Sequence, residues 1–123
     1  NPKFGQTFMW PDGTTVTMGP PEVFTPDKIY YWGDKTAVKF LFTLENHSGA
    51  PLTPMEFEFN AKSADANMGL IVGGGIMDLP AGTLADGDSL ELYVGCETVD
   101  INDMEMEFDP ETDDTHDAVT FTT

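Results

Sequence analysis

The stretch "DINDMEMEFDPETDDTHD", residues 100–117, is crowded with Asp and Glu and has no Lys or Arg. Hard cations such as calcium take six to eight oxygen ligands, commonly from closely spaced carboxylates and backbone carbonyls. Asp109, Asp113, Asp114 and Asp117 are the candidate calcium ligands, and the "ADGDS" loop can add Asp86 and Asp88. Neither segment has the twelve-residue spacing of an EF-hand. The competing reading is a solvated face. Met104, Met106 and Phe108 alternate with Glu105, Glu107 and Asp109, as in a strand with one buried side. The stripe Glu105, Glu107 and Asp109 then faces water, and only the second half of the run keeps a claim as an ion site.

Other chemistry-bearing residues lack companions. The seven methionines invite a copper reading, but Met18, Met55, Met104 and Met106 fall at inward strand positions, where methionine is ordinary core filler. His47 and His116 sit in separate turns without a second ligand at metal spacing. Cys96 falls at an inward strand position and reads as a small hydrophobe. No serine lies in a nucleophile-elbow pattern. The pair of carboxylates needed for glycoside hydrolysis is defined by separation in space, which spacing along the chain does not give. "VGGGIM", residues 72–77, lacks the Lys-Ser/Thr of a phosphate loop and reads as a flexible crossover between sheets. "NHS", residues 46–48, matches a glycosylation sequon, which matters only in a eukaryotic secretory setting. These observations imply a protein without catalytic activity.

Aromatic residues make the remaining candidate. Trp10, Phe24, Tyr30, Tyr31 and Trp32 concentrate with Pro20, Pro21 and Pro26 in and near "GPPEVFTPDKIYYWGDK", residues 19–35. Aromatics in loops at the edge of a sheet often build contacts to protein or carbohydrate. Tyr30, Tyr31, Trp32 and Phe24 are therefore the candidate binding residues. The alternative is that they cap the open end of the core, since exposed aromatic patches are uncommon.

Composition bounds the partners. The formal charge is −17, with 22 acidic residues against five basic ones, all lysine. Nucleic acid and anionic membrane surfaces are repelled by such a field, leaving cations and basic partners open. A single cysteine excludes an internal disulfide and a thiolate cluster. No apolar run is long enough to span a membrane. The chain opens "NPKFGQ" without an initiator methionine, so any signal peptide or anchor is expected to lie upstream of it.

The elements that must position these residues are strands. Period-two alternation recurs along the chain while helical periodicity is almost absent. In "TAVKFLFTLEN", Val38, Phe40, Phe42 and Leu44 face inward; in "PMEFEFNAK", Met55, Phe57, Phe59 and Ala61 do. "SLELYVGC" offers Leu90, Leu92, Val94 and Cys96, and "AVTFTT" offers Val119 and Phe121. "KFGQTFMW" and "TTVTMG" form a hairpin about the Pro11–Gly13 turn. With 40% hydrophobic residues over 123 positions, the chain is one domain, residues 1–123, with a real core. Seven to eight short strands broken by Gly, Pro, Asn and Asp predict an all-β fold, an antiparallel β-sandwich.

The order of features resembles a known family. "FGQTFMWPDGTTVTMGPPEVFTP", "AVKFLFTLENHSGAPLTPMEFEF", "LPAGTLADGDSLELYVGC", "MEMEFDP" and the closing "AVTFTT" are similar to a family of Gram-positive surface lipoproteins, related to the immunoprotective extracellular proteins of actinobacteria. Pro80-Ala81-Gly82 replaces the Pro-Gly usual in that family. The resemblance implies an immunoglobulin-like sandwich, export and a lipid anchor upstream, and it carries over no catalytic residue. The expected function is a non-enzymatic extracellular or cell-surface module for binding, adhesion or spacing. A calcium-responsive surface module is the second reading, and a hydrolase the third.

Overall fold

The computed structural model of the protein describes residues 1–110 and 115–123. Ten strands run in chain order: β1 (Thr7–Met9), β2 (Thr15–Met18), β3 (Glu22–Phe24), β4 (Thr36–Glu45), β5 (Glu58–Ser63), β6 (Ala66–Met68), β7 (Leu70–Ile71), β8 (Ser89–Thr98), β9 (Met104–Asp109) and β10 (Val119–Thr122). They form two antiparallel sheets. The first has the order β1-β2-β4-β8-β7, with β3 also paired to β4, and the second has the order β10-β9-β5-β6. The expected antiparallel sandwich is present. The strands beyond the expected seven to eight come from short pieces such as β6 and β7, of three and two residues.

Alternation explains the layers. In β4, Val38, Phe40, Phe42 and Leu44 are all buried, while Lys39, Leu41 and Thr43 are half-buried on the other face. β8 pairs with β4 along its whole length, setting Val94 beside Phe40 and Leu92 beside Phe42. The second sheet presents Phe59, Ala61, Met104, Met106, Phe108, Val119 and Phe121 to the same interior. Phe108 is the keystone of that interior: its ring lies 4.9 Å from Phe42, 5.2 Å from Phe57 and 5.3 Å from Phe59. Edge and tilted ring geometries of this kind add to the gain from burial itself. Met18, Met104 and Met106 are core filler, as their positions suggest.

Three local expectations need correction. Met55 is exposed, not inward. Pro54 opens a 3-10 turn over Pro54–Glu56, so the strand alternation starts only afterwards. Leu90, at the start of β8, is half-buried beside the core instead of within it. The third correction concerns "VGGGIM", which does not cross between sheets. The crossing falls at Gly69, between β6 of the second sheet and β7 of the first. Residues 73–76 then make a tight turn, in which Gly73 and Ile76 exchange backbone hydrogen bonds, before Ile76 bridges to Tyr93 of β8. Gly73, Gly74 and Gly75 all have positive φ, a backbone path open to glycine and strained for other residues.

That turn and β7 lay a small apolar cover over the outer face of the first sheet. Ile71 and Ile76 are buried there, outside the main core. Gly95 of β8 makes room for them, since a Cβ at this position would lie 2.6 Å from Ile76 Cγ2. At the opposite end of β4, the fully buried Asn46 ties two loops together. Its amide nitrogen donates to the carbonyls of Ala50 and Leu84, each at 2.9 Å, and its Oδ1 accepts from the Ser48 backbone N–H at 3.0 Å. A buried side-chain amide is tolerated because its donors and acceptor are satisfied.

Candidate functional site: an aromatic and lysine groove at the sheet edge

β3 reaches its position through Pro20 and Pro21 and lies antiparallel against β4, with Phe24 opposite Ala37. Phe24 is half-buried, and the Lys39 ammonium sits 5.7 Å from its ring centroid and 4.3 Å from that of Tyr93. Such cation–π placements hold a lysine over an outer sheet face instead of letting it range through solvent.

The loop over residues 25–35 leaves β3 and returns to β4. Asp27 shapes its first turn by accepting the Ile29 N–H on Oδ1 at 3.0 Å, while its carbonyl accepts the Tyr30 N–H at 2.9 Å. Two long-range ties then fix the loop. The Tyr31 hydroxyl donates to Glu97 Oε2 at 2.8 Å and lies 3.1 Å from the Lys35 carbonyl. Burial, followed by the hydrogen bond and charge of Glu97, pushes the Tyr31 hydroxyl above its ordinary range. The Tyr30 ring rests on the glycine turn: a Cβ at Gly73 would collide with Tyr30 Cδ1. Glycine at 73 thus supplies both a left-handed backbone and a flat seat for an aromatic ring.

With Tyr30 and Tyr31 held, Trp32 projects outward and is 79% exposed. An open groove of about 510 Å³ runs beside it, lined by Phe24, Pro26, Lys28, Tyr31, Trp32 and Lys35 together with small residues. Of the four candidate binding residues, Phe24, Tyr31 and Trp32 share this groove, and Tyr30 buttresses it from the glycine turn. Trp10 does not belong to the group. It is buried under the β1–β2 hairpin with its ring 6.3 Å from Phe108. Lys28 and Lys35, absent from the candidate set, line the groove as well, and among the described residues no carboxylate does. Their place inside "DKIYYWGDK" was the only signal available in the sequence.

The acidic candidates of the β9–β10 connection are described only in part. Asp109 ends β9, and Asp117 is exposed, with its carbonyl accepting the Trp10 indole N–H at 3.1 Å. Asp113 and Asp114 lie outside the described residues. Asp86 Oδ1 accepts the Gly49 N–H at 2.9 Å, and the Asp88 carbonyl accepts the Asn46 N–H, so both serve loop structure. Among the described residues, no three His, Cys, Asp or Glu side chains converge as a metal set.

His116 is a contact that spacing along the chain conceals. It is buried, its Nε2 is 2.7 Å from Asp12 Oδ2, and its ring packs edge-on against Trp10 at 5.2 Å. Asp12 Oδ1 also accepts the Thr14 N–H at 2.8 Å. Burial works to raise the Asp12 carboxyl, but hydrogen bonds from Thr14 and His116 outweigh it and hold the group below its ordinary range. The arrangement pins residues 115–117 to the first hairpin. Cys96 is fully buried, and burial followed by the Glu97 charge pushes its thiol up to about 12. A thiol so placed stays protonated at neutral pH and is a poor nucleophile. A second concavity of about 520 Å³ lies on the outer face of the second sheet, where Asn60 donates to Glu107 Oε1 at 3.1 Å. Its polar side chains are cross-strand neighbours, as on any solvated sheet face.

No protein-family model matches the chain, and no curated protein matches it in sequence. Two solved structures share its fold. One is ycdA of Bacillus subtilis, inferred to be a lipoprotein, at 19% identity and a TM-score of 0.70. That match covers 95% of this chain and 38% of ycdA, so the chain spans well under half the length of that neighbour. The other is yjhA of Bacillus subtilis, at 14% identity and a TM-score of 0.71, covering 99% of this chain and 98% of yjhA. The chain thus has the fold of yjhA and of a part of ycdA.

Proposed function

We propose that the protein is a non-enzymatic binding module of the bacterial cell exterior and that the groove beside Trp32 is its contact surface. The observation that carries this reading is an exposed tryptophan on a loop that is itself tied down. Trp32 is 79% exposed, while its neighbours Tyr30 and Tyr31 are seated on Gly73 and bonded to Glu97. A large apolar side chain held out in water costs solvation unless something covers it, and aromatic residues are the commonest anchors of binding surfaces. A fixed loop also lowers the entropy lost on binding.

The lipoprotein-described neighbour ycdA supports a surface location. Membership of the Gram-positive surface lipoprotein family, an immunoglobulin-like strand arrangement and an upstream lipid anchor are part of this proposal. No observation favours the calcium-responsive alternative or the hydrolase.

The test is Trp32→Ala against a panel of immobilised carbohydrates and peptides. The variant is expected to melt like the parent and to lose whatever the parent retains. Retention unchanged in Trp32→Ala would remove the groove from consideration. Tyr31→Ala is a poorer probe, because Tyr31 also holds the loop to β8.

A further inference from the structure

The charge of the groove names a ligand class, an inference that rests on the binding reading above. The chain carries five lysines against 22 acidic residues. Lys28 and Lys35 line the groove, and Lys39 stands behind it on the Phe24 ring. The nearby acids are turned to other work. Asp27 caps its own turn, and Glu97 accepts from Tyr31 and from the Gly69 N–H at 3.3 Å. Asp34 stands in the same loop and its charge reaches Tyr31, yet it does not line the groove. The overall charge of −17 repels anions at long range, but this concavity is a local exception: it pairs an exposed indole with two ammonium groups, and no carboxylate among the described residues lines it.

We infer that the groove binds an acidic glycan whose carboxylate is carried on the sugar ring, a uronate-containing saccharide. The C–H face of a pyranose is apolar and lies flat on an indole, which is the surface Trp32 offers. Lys28 and Lys35 supply point charges for the carboxylate. The groove, of about 510 Å³, has room for a short saccharide, and Trp32 and the two lysines line the same concavity. An acidic peptide fits less well. Its simplest mode would be to add a strand to the open edge of β3, but β3 has three residues and is bounded by Pro21 and Pro26. Prolines beside a short edge strand block such pairing.

The test titrates the protein with oligogalacturonate, with a neutral galacto-oligosaccharide of equal length, with phosphomannan and with a polyglutamate peptide. Oligogalacturonate is expected to bind. Lys28→Gln and Lys35→Gln should each weaken it about fivefold, as for a solvent-exposed charge pair. Trp32→Ala should weaken it at least about thirtyfold, the loss typical of an interface anchor. The Lys variants alter exposed side chains, and their melts serve as the folding control. Equal affinity for the neutral saccharide overturns the assignment of charge while leaving the groove as a binding surface. Preference for phosphomannan or polyglutamate overturns the uronate assignment. Binding to none of the probes overturns the inference, and the Trp32→Ala panel then decides separately whether the groove binds anything.

Discussion

Gly73→Ala against Gly75→Ala separates two costs that usually arrive together. Both glycines have positive φ, +111° and +88°, so each alanine variant strains the backbone by about 1 kcal/mol or somewhat more. At Gly75 nothing lies within 4 Å of the new Cβ, and that strain is the whole effect. At Gly73 the Cβ would collide with Tyr30 Cδ1 and stand 2.7 Å from Cγ, near the root of the ring, so the ring must leave its seat. Losing a half-exposed tyrosine's packing adds about 1 kcal/mol, roughly 40 Å² of apolar contact at 25 cal/mol per Å². For a domain of 123 residues, 1 kcal/mol corresponds to about 4 °C in Tm. Gly73→Ala is therefore expected to melt about 8 °C below the parent and Gly75→Ala about 4 °C below. Repeating Gly73→Ala in a Tyr30→Ala background closes a double-mutant cycle, in which only the backbone cost should survive. Scanning calorimetry of the four proteins reads it directly. If Gly73→Ala costs the same with and without Tyr30, the ring is not seated on the turn, and the account of a tied loop fails.

Three other outcomes follow from the same physical picture. The Asp12 carboxyl is held below its ordinary value, so its stabilisation is fully present above that value and fades as pH falls through the lower folded one. The stability gap between parent and Asp12→Asn, from denaturant melts, should shrink as pH falls below about 4; a gap that widens in that range has the wrong sign. Phe108→Ala removes the ring shared by Phe42, Phe57 and Phe59, and equilibrium unfolding should show a loss of about 3–5 kcal/mol. For the calcium reading, whose Asp113 and Asp114 lie outside the described residues, melts in calcium and in chelator decide: a specifically bound ion raises Tm by mass action, and coincident midpoints remove the reading.

What the sequence disclosed follows the range of the interactions. The interior of β4 was legible because four apolar residues at period two leave only one face to bury, and Val38, Phe40, Phe42 and Leu44 all obey. The same rule misplaced Met55, where Pro54 turns the chain before the strand begins. Strands as short as β6 and β7 show no alternation to detect, and they exist because longer neighbours offer them an edge. The aromatic groove was half legible: Phe24, Tyr31 and Trp32 come from one short segment, so their neighbourhood is local. The ties that leave Trp32 outermost are not local. Tyr31 meets Glu97 across 66 positions, and His116 meets Asp12 across 104, distances over which spacing carries no signal. The glycine run illustrates the limit best. The sequence suggests a flexible crossover, and neither the tight turn nor its partner Tyr30 can be read from it.

The two tryptophans allow a direct optical test of the central claim. Trp10 is 3% exposed and Trp32 is 79% exposed, so they report on the core and the groove respectively. Titrating the parent and Trp32→Ala with oligogalacturonate, while following tryptophan emission and the heat of binding, tests whether the groove is the contact surface. The account predicts that the solvent-exposed component of the emission shifts and quenches in step with the heat in the parent, and that both signals vanish in Trp32→Ala. Heat of binding that persists in Trp32→Ala, or that develops in the parent without any change in emission, would place the contact elsewhere on the molecule and contradict it.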